Sequence, residues 1–175
     1  MAKRKYRRYY KRKGVWCSNI KTITTQTYTA APNSSFFTKI DLCVNPAQTD
    51  SSVSQSYVVK NITFNWQNEV PTTTGWSTIE ALTGYIMYVP QGMDVTETYP
   101  NFHPEYIMGC RFYGSPENEQ TGAAGIRNPL SIRSRLARRL QTGDKIVFLL
   151  VGMNNGSTNV NVDFNGLLRW WTKAN

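Results

Sequence analysis

Histidine is almost absent from this chain. Of 175 residues only His103 is one, which excludes a cupin-type metal site built from several converging histidines or carboxylates. Cysteine is scarce as well. Cys17, Cys43 and Cys110 are odd in number and widely spaced, so neither a disulfide framework nor a zinc pair fits them, and reduced thiols in a core do. There is no phosphate-cradling glycine loop, because Gly122-Ala123-Ala124-Gly125 lacks the lysine and the strand-to-helix setting. No segment approaches the roughly 20 apolar residues of a membrane span, so membrane insertion is not expected. Gly14 to Asn19 is too short and polar for a signal-peptide core. Cytosolic synthesis follows, and the sequons at Asn33, Asn61 and Asn155 then stay silent.

The remaining chemistry is thin. A Cys110–His103 dyad competes with a core thiol and a loop imidazole, and the second pairing of roles is the simpler. Glu105, Glu117 and Glu119 read as a solvated loop face, with a cation site or a subunit contact as alternatives. Nothing here points to an enzyme, and no cofactor is implied.

What is present is β-type sequence. Short runs rich in Thr, Val, Ile and aromatics recur at 20–30, 36–44, 57–66, 85–89, 106–113, 130–136, 145–152 and 160–171, with Gly, Pro and Asn between them. Such punctuation predicts an antiparallel sandwich or barrel. Within 57–66, period two places Val58, Lys60, Ile62, Phe64 and Trp66 on one side. Residues 76–83 and 133–141 could each form helical turns. For the second, Thr142-Gly143-Asp144 favours a strand entering a tight turn. Eight strands in one domain is the jelly-roll number, a fold shared by capsids, lectins and cupins. The expected fold class is therefore all-β: an eight-stranded antiparallel jelly-roll sandwich spanning 15–175, behind a disordered basic arm at 1–14. The loops at 45–56, 68–79 and 114–128 are long enough to carry contacts or function.

The arm is the strongest feature. Lys3, Arg4, Lys5, Tyr6, Arg7, Arg8, Tyr9, Tyr10, Lys11, Arg12 and Lys13 follow one another, eight cations and three tyrosines with no acid. The whole chain carries 20 Lys+Arg against 11 Asp+Glu; without those eight cations, 12 bases face 11 acids. The charge thus belongs to an appendage, which stays solvated until a polyanion arrives. A solubilising or targeting tail is the plainer reading. The tyrosines favour single-stranded nucleic acid, since each can stack on an unpaired base between phosphate contacts. Eight such contacts give a log–log salt slope of roughly −6.

A second basic stretch holds Arg127, Arg133, Arg135, Arg138 and Arg139 without an acid. In a strand, Arg133 and Arg135 share one face, and Ile132, Ser134 and Leu136 the other. Phosphate contact by Arg133 and Arg135 competes with ion pairing to a neighbouring strand or subunit. Surplus aromatics such as Trp76, Trp170 and Trp171 are candidate contact anchors. Adjacent strand residues point to opposite faces, so at least one of the last two should lie outside the core.

Several segments together carry a resemblance. They are the arm, Tyr88-Val89-Pro90-Gln91-Gly92, Phe102 to Met108 (FHPEYIM), Phe112 to Glu117 (FYGSPE), and Asn128 to Leu140 with Thr142-Gly143-Asp144. In this order they resemble capsid proteins of circovirus-like, Rep-encoding circular single-stranded DNA viruses. Circovirus capsid proteins are usually longer, with longer arginine-rich arms, so the likeness is to a relative of that family. The resemblance implies a jelly-roll subunit that self-assembles into an icosahedral shell of 60 copies around a single-stranded DNA genome. It puts the arm inside, adds a nuclear localisation signal read by a host import receptor, and leaves outer loops for a cell-surface receptor. The implied locations are the virion and, during assembly, the host nucleus. Arms of eight charges on 60 copies would bring roughly 480 cations to the genome, with Arg133 and Arg135 facing inward to supplement them. Two other readings compete: a non-capsid module binding single-stranded nucleic acid, and a carbohydrate-binding jelly roll using Trp76 and Tyr99.

Overall fold

The computed structural model describes residues 15–45, 56–69, 79–114 and 130–174. They form nine strands: β1 (Cys17–Ala30), β2 (Ser34–Val44), β3 (Tyr57–Glu69), β4 (Ile79–Val89), β5 (Ile107–Gly114), β6 (Leu130–Ser134), β7 (Arg138–Leu140), β8 (Lys145–Asn154) and β9 (Val160–Ala174). Every pairing is antiparallel. One sheet has the order β1-β9-β3-β6, with β7 also on β3; the other is β2-β8-β4-β5. With β6 and β7 counted as two pieces of one edge strand, this is the interleaved order of a jelly roll. The expectation of eight strands misses only that break. Among the described residues, no helix is long and apolar enough to cross a membrane.

The main core lies between the sheets. Phe64 and Trp66 on β3 meet Phe148 on β8, with ring centroids 4.9 and 4.7 Å apart, and Trp66 meets Tyr113 edge-on at 5.2 Å. Gly166 on β9 lies under Phe64; a Cβ there would come within 2.6 Å of the ring. Ser134 is buried because its Oγ donates to the Met108 carbonyl at 2.7 Å, tying β6 to β5 across the sandwich. Asp144 organises the turn after β7. It accepts hydrogen bonds from the Tyr88 hydroxyl and from the amides of Gln91 and Gln141. Gly143 completes that turn with φ of +85°, where a side chain would also strike Gln91.

Period two breaks where strands bulge. On β3 the register shifts between Lys60 and Thr63, and Asn61 takes φ of 51°. Val59 therefore faces inward before the bulge, and Ile62, Phe64 and Trp66 after it. Val58 and Lys60 belong to the opposite face, contrary to the simple alternation. Ile79 to Thr83 is strand and not helix, with a bulge at Ala81, φ 51°.

A second apolar cluster covers the outer face of the four-stranded sheet. Met87 and Val89 of β4 and Val147 and Leu149 of β8 pack against Val95 and Tyr99. Those two belong to the β4–β5 connection, which holds the helical turn α1 (Tyr99–Phe102) and a 3-10 turn at Pro104–Tyr106. Burial on both faces explains the unbroken apolar run Ile146 to Leu150. It also removes Tyr99 as a sugar platform, since that ring is only 3% exposed. The cysteines are all free, yet only Cys43 is buried; Cys17 and Cys110 are exposed, so the expectation of three core thiols holds for one.

Candidate nucleic-acid interface

Among the described residues nothing covers the outer face of the five-stranded sheet, and pairing assembles this open face from four parts of the chain. On β9, Leu168 is fully buried and Trp170 packs on the core, so Leu167, Arg169, Trp171 and Lys173 point outward. Register then builds rows. Arg169 pairs with Ile20 on β1 and Thr63 on β3, and Thr63 pairs with Arg133 on β6. Trp171 pairs with Ser18 and Lys60. Lys173 pairs with Val58, which pairs with Arg139 on β7. Lys60, Arg133, Arg139, Arg169 and Lys173 thus share one surface, and no acid occupies these rows. Among the described residues the salt bridges are His103–Glu105 and Lys145–Asp41, and neither involves any of the five cations.

Aromatic surface is interleaved with this charge. Trp171 stays 37% exposed, and the Trp16 ring lies against Lys60, whose Nζ is 3.7 Å from the ring centroid. Trp16 is the last residue before β1, so the chain enters the fold on this same face. An exposed cation–π contact of this kind stabilises by about 0.5–1 kcal/mol. That is sufficient to bias where the chain enters and too little to lock it there.

The predicted site residues divide. Arg133 lies on the open face, opposite Ile132 and Ser134. Arg135 is exposed, but β6 ends at Ser134, so it sits in the connection to β7 and not in a strand stripe. Leu136 also leaves the inner face and is 56% exposed. Arg138 is turned to another use: its guanidinium lies 4.2 Å from the Tyr88 ring and 5.7 Å from Tyr106, closing the rim between the sheets. Burial, helped by the hydrogen bond to Asp144, pushes the Tyr88 phenol up to about 12. Lys3 to Lys13, Arg127, Trp76, Glu117 and Glu119 lie outside the described residues. Glu105 meets His103 at 3.3 Å, and that imidazole stacks on Tyr106. Cys110 instead adjoins Tyr85.

Lys60, Arg169 and Lys173 were not singled out from sequence. A signal for two of them exists: Arg169, Trp171 and Lys173 alternate at period two in the final strand. The segment over the other sheet differs in charge. Residues 90–106, which cover the four-stranded sheet, include Asp94, Glu97 and Glu105 and no lysine or arginine.

No family model matches the chain, and no curated protein does. Solved structures with a similar chain course include that of maize chlorotic mottle virus, from single-particle analysis. It has 11% identity and a TM-score of 0.45 over 93% of this chain and 94% of that one. The decameric BFDV capsid protein has 7% identity and a TM-score of 0.37 over 91% and 99%. Turnip yellow mosaic virus gives 17% and 0.31 over 86% and 93%.

Proposed function

We propose that this chain is a viral capsid protein whose arm (1–14) and jelly-roll domain (15–175) package circular single-stranded DNA inside a shell of many identical copies. The observation that carries this reading is the set of cross-strand rows bearing Lys60, Arg133, Arg139, Arg169 and Lys173, which hold no acid, with the chain entering the fold beside them at Trp16. In this reading the cationic face, where the chain enters the fold at Trp16, turns toward the genome. The acidic 90–106 segment faces away from it. Subunits that are nearly neutral apart from their arms pack without large repulsion. The arms repel one another until a polyanion is present, which couples assembly to packaging. Single-stranded nucleic acid suits the surface because exposed Trp171 and the arm tyrosines offer stacking faces without base-edge readout. In this reading the protein resides in the virion and passes through the host nucleus, with Lys3 to Lys13 doubling as the import signal.

The test is electron microscopy and sedimentation of the full-length protein and of a variant lacking residues 2–13, each with and without single-stranded DNA. Closed particles of uniform size that lose their nucleic acid on arm deletion are the expected result. A protein that binds DNA yet stays monomeric across salt and pH contradicts the shell and leaves a nucleic-acid-binding module.

A further inference from the structure

At the free edges of β1 and β2 the two sheets part and leave a cleft of about 410 Å³. It is lined by Lys21, Thr22, Ile23 and Thr24 from β1, Lys39, Ile40 and Asp41 from β2, and Lys145 from β8. Its composition is unlike that of a packing defect. Ile23 and Ile40 are only 5% and 4% exposed and supply an apolar floor. The rest of the lining is Lys21, Lys39, Lys145, Thr22, Thr24 and Asp41. One carboxylate is present, and Asp41 Oδ1 already holds Lys145 Nζ at 3.6 Å. Lys21 and Lys39 have no carboxylate partner among the described residues, so the cleft keeps a surplus of two positive charges. Lys21 also lies close enough to the buried Cys43 to oppose the effect of burial on that thiol. Lys21 pairs with the buried Leu168 and so projects from the inner side of its sheet.

We infer that this cleft binds a phosphate monoester attached to an apolar or planar body, of which a mononucleotide is the simplest case. A terminal phosphate carries about −1.5 to −2 charges at neutral pH, which matches the surplus of two. A backbone diester carries one and does not. The isoleucine floor can take the base or sugar. The site is separate from the open sheet face: Lys21 alternates with the outward residues Ile20 and Thr22, and β2 and β8 belong to the other sheet. Its occupant is either a free nucleotide or the phosphorylated end of a strand.

The test uses the full-length protein and calorimetry with dAMP and inorganic phosphate. It also compares a short oligonucleotide bearing a 5′-phosphate with the same one bearing a 5′-hydroxyl. dAMP should bind, and more tightly than phosphate alone. Lys21→Ala with Lys39→Ala should weaken it by about tenfold or more, as expected for loss of charge-assisted contacts. Asp41→Asn should tighten it several-fold, because Lys145 is released from its carboxylate. Thermal melts of the same variants distinguish loss of the site from loss of the fold. A preference for the 5′-phosphorylated oligonucleotide assigns the site to strand ends; equal oligonucleotide binding with retained dAMP binding assigns it to free nucleotides. Absence of dAMP binding to the folded protein, or unchanged binding in both variants, overturns the proposal. Binding of long single-stranded DNA through arm and face is measured separately and does not depend on this outcome.

Discussion

The two sheets solve the same problem in different ways. Each has an inner face in the shared aromatic core, and each has an outer face to account for. The four-stranded sheet covers part of its outer face with residues 90–106 and builds a second apolar cluster there. Among the described residues, nothing covers the outer face of the five-stranded sheet, which carries cations and tryptophan. Their central strands record the difference in sequence. β8 reads Ile146-Val147-Phe148-Leu149-Leu150, apolar throughout, while β9 alternates Leu168-Arg169-Trp170-Trp171-Thr172-Lys173. A strand covered on both sides has no polar positions to spare; one covered on a single side must alternate. The lesson is that the uncovered face is where function is to be sought.

This contrast is sharpest in a matched pair of substitutions. Leu149 and Leu167 both point outward from the central strand of their sheet, but the first is fully buried and the second is 43% exposed. Leu149→Ala should lower stability by about 2–5 kcal/mol in chemical denaturation, and Leu167→Ala by no more than about 0.5 kcal/mol. Equal effects would mean that both faces are covered alike.

Nucleic-acid binding should show the reverse dependence. Removing residues 2–13 should flatten the log–log salt dependence of single-stranded DNA affinity by about 6. Replacing Lys60, Arg169 and Lys173 with alanine should flatten it by about 2 more, at roughly 0.7 per contact, with little change in melting temperature. A slope unchanged by the triple substitution would confine DNA contact to the arm.

Adjacent arginines give a finer test. Arg138 lies on the Tyr88 and Tyr106 rings, whereas Arg139 is exposed beside Val58 and Lys173. Arg138→Ala should lower stability by about 1 kcal/mol and leave DNA affinity unchanged, while Arg139→Ala should do the opposite. The smallest effect concerns pH. Burial is the chief cause that lifts the Tyr88 and Tyr99 phenols from 10.0 to about 12, and both lie on the covered side. Their neutral forms are favoured by folding, so this stability is complete below pH 10 and disappears as pH rises toward 12. Melting temperature should fall over that window in step with phenolate absorbance. Phenols that all titrate near 10 with no loss of stability would contradict the buried setting.

Much of the fold was legible in the sequence because Gly, Pro and Asn mark the strand ends. All eight expected runs coincide with strands. The phase within strands was less legible, since one left-handed residue such as Asn61 or Ala81 moves every later side chain to the other face. The break after Ser134 was hidden for a similar reason: Arg133 to Leu136 alternates well enough to continue as a strand. The cationic face was the least legible part. Its cations come from β3, β6, β7 and β9, and only backbone pairing brings them together. The stretch Arg127 to Arg139 drew attention to charge density along the chain, although one of its members, Arg138, is used in packing.

The most direct measurement is a cryo-EM reconstruction of assembled particles containing single-stranded DNA. The open face of the five-stranded sheet is expected to line the lumen, with nucleic-acid density against Trp16, Lys60 and Arg169 and residues 90–106 on the outer side. Particles in which that face points outward, or is buried between subunits with no DNA beside it, would contradict the account.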